Sequence, residues 1–354
     1  MDKKSKAFLF ELLETPSPTG FEEQIQKVVR GHMKPYADSI SSDLHGNLMV
    51  SINPDASRRV LLAGHCDQIG FMITHISADG FLYVSPLGGI DAGVLQGARV
   101  TIQGAKGPVH GVFGRKPIHQ QSAEERSSMK LDISKCWIDI GAKNKKDAEK
   151  RVAIGDSATF ALGVLSLGDD LICAPGLDDR VGLFVVMEAL KLLKGEKLSV
   201  GLFSVSTVQE EVGLRGATTA AYSIDPEVTI AVDVTHASDN PASEGSKSVP
   251  CKLASGPAIC RGPNVNPVVE RMLVASAKKA RIPYQPAPSS RLLGNDANAM
   301  QVVRGGTAAG SIGIPNRYMH TQVEVCSLKD LENSAKLLAA FVKSINSRTD
   351  FKPS

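Results

Sequence analysis

The sequence predicts an α/β fold interrupted by an all-β insertion, and three observations in its 354 residues carry that prediction. Apolar, β-branched runs of strand length alternate with helical patterns near both ends of the chain. Several of those runs stop on acidic or histidine residues, at the sheet edge where open α/β folds bind ligands. From about Phe71 to about Leu162 the texture changes to short alternating strands between glycine-rich turns, the pattern of a small β-barrel or sandwich.

Taken in order, Ser5 to Leu13 has helical apolar spacing and ends at the turn-rich TPSPTG. Phe21 to Met33 restarts a helix with Glu22 and Glu23 in its first turn. Asp43 to Ile52 reads as a turn and a strand, and Val60 to His65 as a buried strand ending in HCD, whose period of two puts His65 and Asp67 on one face. The insertion supplies FMITHIS, FLYVSP, ARVTIQG, GPVHGVFG and CWIDIG as strands. It also contains a long polar stretch, Arg115 to Asp132, of the kind that is functional or mobile in a compact domain. After Ala174 come PGLDD, an amphipathic helix Arg180 to Leu193, the run beginning at Val200, and the buried strand Val228 to Val234. A helix Asn266 to Ala280, a strand Ala308 to Ile314 and a closing helix Leu328 to Asn346 complete the chain. The resulting organisation is one α/β domain, 1–70 with 164–354, split by an insertion at 71–163.

Composition narrows the class. At this length a single core has usually stopped growing, so two domains or one with a large insertion is the expectation. Hydrophobic residues at 42% and charged residues at 22% suit a soluble globular protein. A net charge of +3 gives no reason to propose nucleic acid or an anionic membrane as partner. The six cysteines show no metal-binding spacing and fit a reducing compartment. The apolar stretch at the amino terminus is broken by Glu11 and reads as a helix, not a signal peptide, and no run approaches the roughly 18 apolar residues of a membrane span.

The stretch VGLFSVSTVQEEVGLRGA carries the chemistry: a buried strand that stops on Glu210 and Glu211. One glutamate can face a metal while the other faces a water, the division of labour that metal-assisted hydrolysis needs. His65, Asp67, Asp178, Asp179, Asp233 and His320 also lie at or just past the ends of apolar runs. Two histidines with several carboxylates suit Zn²⁺ or a neighbouring first-row ion, and there are acids enough for two ions. Other readings stand beside this one. Glu210 and Glu211 could be a solvated acidic turn, Asp178 a helix N-cap, and Asp233 a strand cap. His32, His45, His75, His110, His119 and His236 lack the same acidic company and read mostly as structural.

TPSPTGFEE, DLHGN, GHCDQIGF, GLDDRVG, QEEVGLRGA, AVDVTH, GNDANAMQ and IPNRYMHTQVE, in that order, resemble the motifs of the tetrahedral-aminopeptidase family of metallopeptidases, which are glutamyl aminopeptidase-like. The resemblance covers nearly the whole chain. It implies a mixed-sheet zinc-peptidase domain carrying a PDZ-like β-barrel that makes the dimer contact. It implies two divalent ions, Zn²⁺ or Co²⁺ and also Mn²⁺, bridged by Asp178, with His65 and Asp233 on one and Glu211 and His320 on the other. Glu210 matches the general base and Asp67 the acid that fixes the ring of His65. Peptide substrates, self-association into a cytoplasmic homododecamer, and a polar loop around His119 reaching toward a neighbouring subunit's site are further expectations. The chain departs from the family pattern at Gln68, commonly glutamate, and at Asn295, commonly threonine.

The activity so implied is hydrolysis of the first bond of short unblocked peptides. A co-catalytic zinc carboxypeptidase or N-acyl amino acid deacylase shares the HxD and EE logic but resembles proteins with an α/β lid in place of a β insertion. An endoglucanase needs carboxyls on opposite sides of the scissile bond, which neighbouring Glu210 and Glu211 do not naturally supply. From a different class, a non-catalytic peptide-binding scaffold would keep the fold without the metals, and the intact ligand positions argue against it.

Overall fold

The computed structural model describes residues 1–123, 132–244 and 249–353, so residues 124–131 of the expected polar loop lie outside the described residues. Two helices come first, α1 (Lys3–Glu14) and α2 (Glu23–Met33). Asp2 caps α1 by accepting the Ser5 N–H at 2.8 Å, and the apolar spacing of Phe8, Leu9, Leu12 and Leu13 turns one face inward. Strands β1 (Ser39–Ser42), β2 (Leu48–Ile52) and β3 (Arg59–His65) follow. Sequence reasoning misses β1 because its SISS has no apolar periodicity and sits exposed at the sheet edge.

The insertion is a closed barrel of β4 (Gly70–Ile76), β5 (Leu82–Leu87), β6 (Arg99–Gly104), β7 (Gly107–Arg115), β8 (Cys136–Asp139) and β9 (Ser157–Phe160). Closure removes the unpaired edges that a short-stranded sheet would expose. Its core is aromatic at the centre: Phe71 meets Phe113 at 4.8 Å and Phe160 at 5.4 Å, both edge-on.

After the barrel come β10 (Leu165–Leu167), β11 (Leu171–Ala174), helix α3 (Leu177–Leu192), β12 (Gly201–Thr207), helix α4 (Arg215–Ile224) and β13 (Val228–His236). The chain closes with β14 (Ala258–Arg261), α5 (Pro267–Ala280), β15 (Gln285–Pro288), α6 (Asp296–Met300), β16 (Ala308–Asn316), β17 (Glu324–Ser327) and α7 (Leu328–Ser344). Eight strands form one sheet in the order β1-β2-β12-β3-β13-β16-β14-β15. The four central strands β12, β3, β13 and β16 run parallel, so their carboxyl ends share one edge.

Both faces of that sheet are covered, and β3 shows why the strands are apolar throughout rather than alternating. Val60 and Leu62 pack into the core beneath α3, whereas Leu61 and Ala63 join Ala217, Ala221 and Met300 of α4 and α6 on the opposite face. The sequence predicts an amphipathic α3; the helix is instead buried almost all round, because α1 and α7 cover the side that faces away from the sheet. Gly64 brings this helix onto β3. A Cβ at Gly64 would lie 2.5 Å from the backbone of Gly182 and Leu183, so only glycine permits the approach.

Candidate metal centre

Parallel register places the predicted residues together. Thr207 pairs with His65, and Asp233 lies within β13 near its end. Glu210 and Glu211 sit three and four residues past β12, in a turn instead of on the strand. Asn47 of the DLHGN motif holds that turn: it accepts the Val208 N–H at 3.1 Å and donates to the Gly216 carbonyl at 2.9 Å. Gln209 enters the turn at φ 55°, and Tyr318 and His320 both adopt φ 61° in the loop after β16. Positive φ at non-glycine residues is uncommon, and here it flanks the site on both sides.

Asp178 stands at the centre. Its Oδ1 is 3.1 Å from His65 Nε2 and its Oδ2 is 3.1 Å from His320 Nε2, so one carboxylate faces two imidazoles. Glu211 Oε1 lies 3.5 Å from His320, and Glu210 Oε2 lies 3.9 Å from His65. The helix-cap alternative for Asp178 does not describe this geometry, because Asp179 makes the capping bond, accepting the Gly182 N–H at 3.1 Å. Asp179 also takes the His65 N–H at 3.2 Å, which joins the helix start to the strand end.

Asp67 is fully buried and holds several groups at once. Its carbonyl oxygen lies 3.0 Å from His65 Nδ1, nearer than its carboxylate at 3.4 Å, so Nδ1 must donate and Nε2 turns toward Asp178. The carboxylate of Asp67 accepts the Glu210 N–H at 3.0 Å, the Glu211 N–H at 3.2 Å and the Thr19 hydroxyl at 2.8 Å. The TPSPTG motif thereby supports the two glutamates through Asp67.

Crowded burial sets the electrostatics. Burial pushes Glu210 up to about 9 and, with the Asp178 charge adding, Glu211 up to about 8. Burial and Asp178 likewise raise Asp233 well above the carboxylate range. Burial would raise Asp178 too, but His320 and His65 outweigh it and hold its pKa low. The Asp178 carboxylate lifts His320 to about 9. Burial opposes a charged His65, yet Glu210, Asp178 and Asp67 outweigh it and raise its pKa well above the ordinary value. Without a cation, this cluster must keep protons to tolerate its own negative charge.

Divalent ions fit that requirement. Ligand atoms of His65, Asp178 and Asp233 lie within 4.8 Å of one another, as do those of Asp178, Glu211 and His320, and Asp178 belongs to both groups. All the donors are nitrogen or carboxylate oxygen, which suits Zn²⁺, Co²⁺ or Mn²⁺.

Sequence reasoning missed several residues that complete the site. Glu324 is fully buried beneath Asp178 and His320. His236, set aside as structural, lines the cavity over the site with Thr235, Cys260, Asn298 and Ser311. Only the position of Glu324 inside IPNRYMHTQVE hinted at its part. Asn295 caps α6 by accepting the Ala297 N–H at 3.2 Å, a task a threonine performs equally, and its Nδ2 donates to Ser311 at 3.0 Å. Gln68 is buried beside Arg180: a Cβ at Gly176 would stand 2.4 Å from both the Gln68 Oε1 and the Arg180 Nη2. The barrel also borders the site, with Gly88 against Glu211 and Gly89 against His320.

A carboxyl-edge cluster of imidazoles and carboxylates on a mixed α/β sheet defines a metallohydrolase-type protein. Residues 46–337 match the M42 glutamyl aminopeptidase family, and the chain belongs to that family of metallopeptidases. The lysyl aminopeptidase of Pyrococcus furiosus (strain ATCC 43587 / DSM 3638 / JCM 8422 / Vc1) is 38% identical over 345 residues, covering 97% of this chain and 98% of that protein. The TET aminopeptidase of the marine sediment archaeon Thaumarchaeota archaeon SCGC AB-539-E09 shares the fold with a TM-score of 0.93 and 33% identity over 98% of both chains. The Pyrococcus horikoshii TET1 peptidase, which can assemble into a tetrahedron or a large octahedral shell, matches at a TM-score of 0.85 and 30% identity over 96% of this chain and 100% of that one. The chain is an aminopeptidase, a hydrolase acting on peptide bonds.

Proposed function

We propose that the protein removes the first residue from short peptides with a free amino end, using two divalent ions held by His65, Asp178, Glu211, Asp233 and His320. The observation that carries this reading is the single Asp178 carboxylate shared by two donor groups, with one oxygen toward each histidine. When bound, such ions polarise the scissile carbonyl and acidify water. Glu210 takes the proton of the attacking water and returns it to the leaving amine; with cations offsetting the neighbouring carboxylates, it can stand ionised to accept that proton. Asp67 keeps Glu210 and Glu211 in place through their backbone N–H groups. Glu210 and its acidic neighbours also favour a substrate that carries an α-ammonium.

Zn²⁺ or Co²⁺ is the proposed physiological pair, with Mn²⁺ admitted by the same donors. The barrel at 71–163 is the proposed dimer contact and a homododecamer the proposed assembly, supported by the shells that the Pyrococcus horikoshii relative forms. The six cysteines are all free, which supports a cytoplasmic setting, and among the described residues no helix is long and apolar enough to cross a membrane.

The test compares a short peptide, its N-acetylated twin and a folded protein with the same first residues, using metal-stripped and metal-restored enzyme. Cleavage of the free peptide alone, only after metal is restored, is expected. Equal cleavage of the acetylated twin would remove the aminopeptidase mechanism, and sedimentation as a monomer at every concentration would remove the assembly.

A further inference from the structure

We infer that this enzyme selects peptides whose first residue is uncharged, so that leucine, methionine and glutamine are accepted ahead of lysine, arginine and glutamate. The inference rests on the aminopeptidase reading of the site. A cavity of about 520 Å³ opens over the metal-binding residues, walled by Thr235, Cys260, Leu293, Asn298, Ser311 and Met319. Its only acids among the described residues are Asp178, Glu210, Glu211 and Asp233, and among the same described residues no lysine or arginine lines it.

On that reading those four acids are taken up by the ions, the attacking water and the α-ammonium of the substrate. A lysine side chain entering the cavity would therefore leave its ammonium without a carboxylate, and a glutamate side chain would meet carboxylates with only the imidazole of His236, outside the metal-binding set, to face it. Either charge is costly to desolvate without a partner. Arg261 is the chain neighbour of Cys260, but strand alternation sends it to the opposite face, where it lines a separate groove with Arg271 and Lys278.

An uncharged side chain meets complementary walls. Leu293 and Met319 offer apolar contact, and Thr235 offers a hydroxyl. Asn298 commits its oxygen to Asn264 at 3.3 Å, while its amide nitrogen has no partner among the described residues. Asn295 is not free to read substrate, because its oxygen caps α6 and its nitrogen is bonded to Ser311. The preference in the name of the Pyrococcus furiosus lysyl aminopeptidase therefore has no counterpart in this chain's own cavity.

The experiment measures kcat/KM of the metal-loaded enzyme for leucyl, methionyl, glutaminyl, lysyl, arginyl and glutamyl p-nitroanilides. Uncharged substrates should exceed charged ones by about 10-fold or more. A lysyl or glutamyl substrate that equals or beats leucyl overturns the inference, and hydrolysis of none of them removes the aminopeptidase reading and the inference with it. Asn298→Asp should raise the lysyl-to-leucyl ratio and Asn298→Lys the glutamyl-to-leucyl ratio. Each ratio is taken within one enzyme, so metal loading and folded fraction cancel. Should the Asn298 variants fail to fold, Leu293→Asp makes the same lysyl test from the cavity's other wall. Ratios unchanged in the folded variants would show that this cavity does not receive the first side chain.

Discussion

Glu324 holds Asp178 by its backbone: Oε2 of this buried carboxylate accepts the Asp178 N–H at 2.8 Å. Its Oε1 accepts the His320 N–H at 2.9 Å, so one side chain sets the separation of a helix start and a loop that share the metal site. Glu324→Gln removes one of the two acceptors and should weaken metal binding by about 10- to 100-fold, the usual cost of losing a group that orients ligands. Calorimetric titration of the stripped protein with Zn²⁺ reads this directly. Unchanged affinity in a folded variant would contradict the assigned role.

Glu210→Gln should keep its metals and lose roughly 10²- to 10⁴-fold in kcat, because an amide cannot accept the water's proton. Metal content and turnover are measured on the same sample. Near-normal turnover with full metal content would rule Glu210 out as the base.

Gly64→Ala tests the close approach of helix α3 to strand β3. The added methyl would meet the backbone of Gly182 at 2.5 Å, and backbone cannot swing aside as a flexible side chain can. The expected cost is about 1–3 kcal/mol of stability, together with weaker metal binding as Asp178 moves away from His65. Denaturant unfolding of the metal-free protein separates the two effects. No loss in either would show that the sheet and helix tolerate a wider spacing.

His32 gives a stability change with pH away from the metal site. Its ring stacks on Phe8 at 3.8 Å and its Nε2 is buried without a hydrogen-bond partner. Burial, with Lys191 adding and Asp2 opposing, lowers its pKa below the ordinary 6.5. Folding therefore favours the neutral ring. Its stabilising contribution is fully present above about 6.5 and is lost as pH falls toward the lower folded value. His32→Phe should lose less stability than the parent between pH 7 and pH 5, as followed by thermal unfolding of the metal-free proteins. Parallel curves for the two would exclude His32 from the acid dependence.

The elements with strong patterns were legible because burial imposes them: β3, β13 and β16 are mostly apolar or small over their buried lengths, and α2 and α7 show one apolar face. β1 and β9 were not, since SISS has no apolar pattern and SATF is buried at all four positions without alternation. The amphipathic reading of α3 failed because a single strip of sequence does not announce that α1 and α7 cover its outer side.

The residues of the site divide the same way. By itself the sequence determined which chemical groups stand at strand ends: His65, Asp178, Glu210, Glu211, Asp233 and His320 each follow or finish an apolar run, and connectivity carries all but Asp178, which follows β11 of a separate three-stranded sheet, to the large sheet's carboxyl edge. Only the tertiary structure decided how they face one another. The Asp178 carboxylate reaches both imidazoles because Gly64 lets α3 touch β3, and because Glu324, arriving from β17, ties that helix start to the His320 loop. The contacts of Gly64 with Gly182 and of Asp178 with Glu324 join residues more than a hundred positions apart. Their hydrogen bonds depend on distances that the packed core sets, and residue order alone contains no such distance.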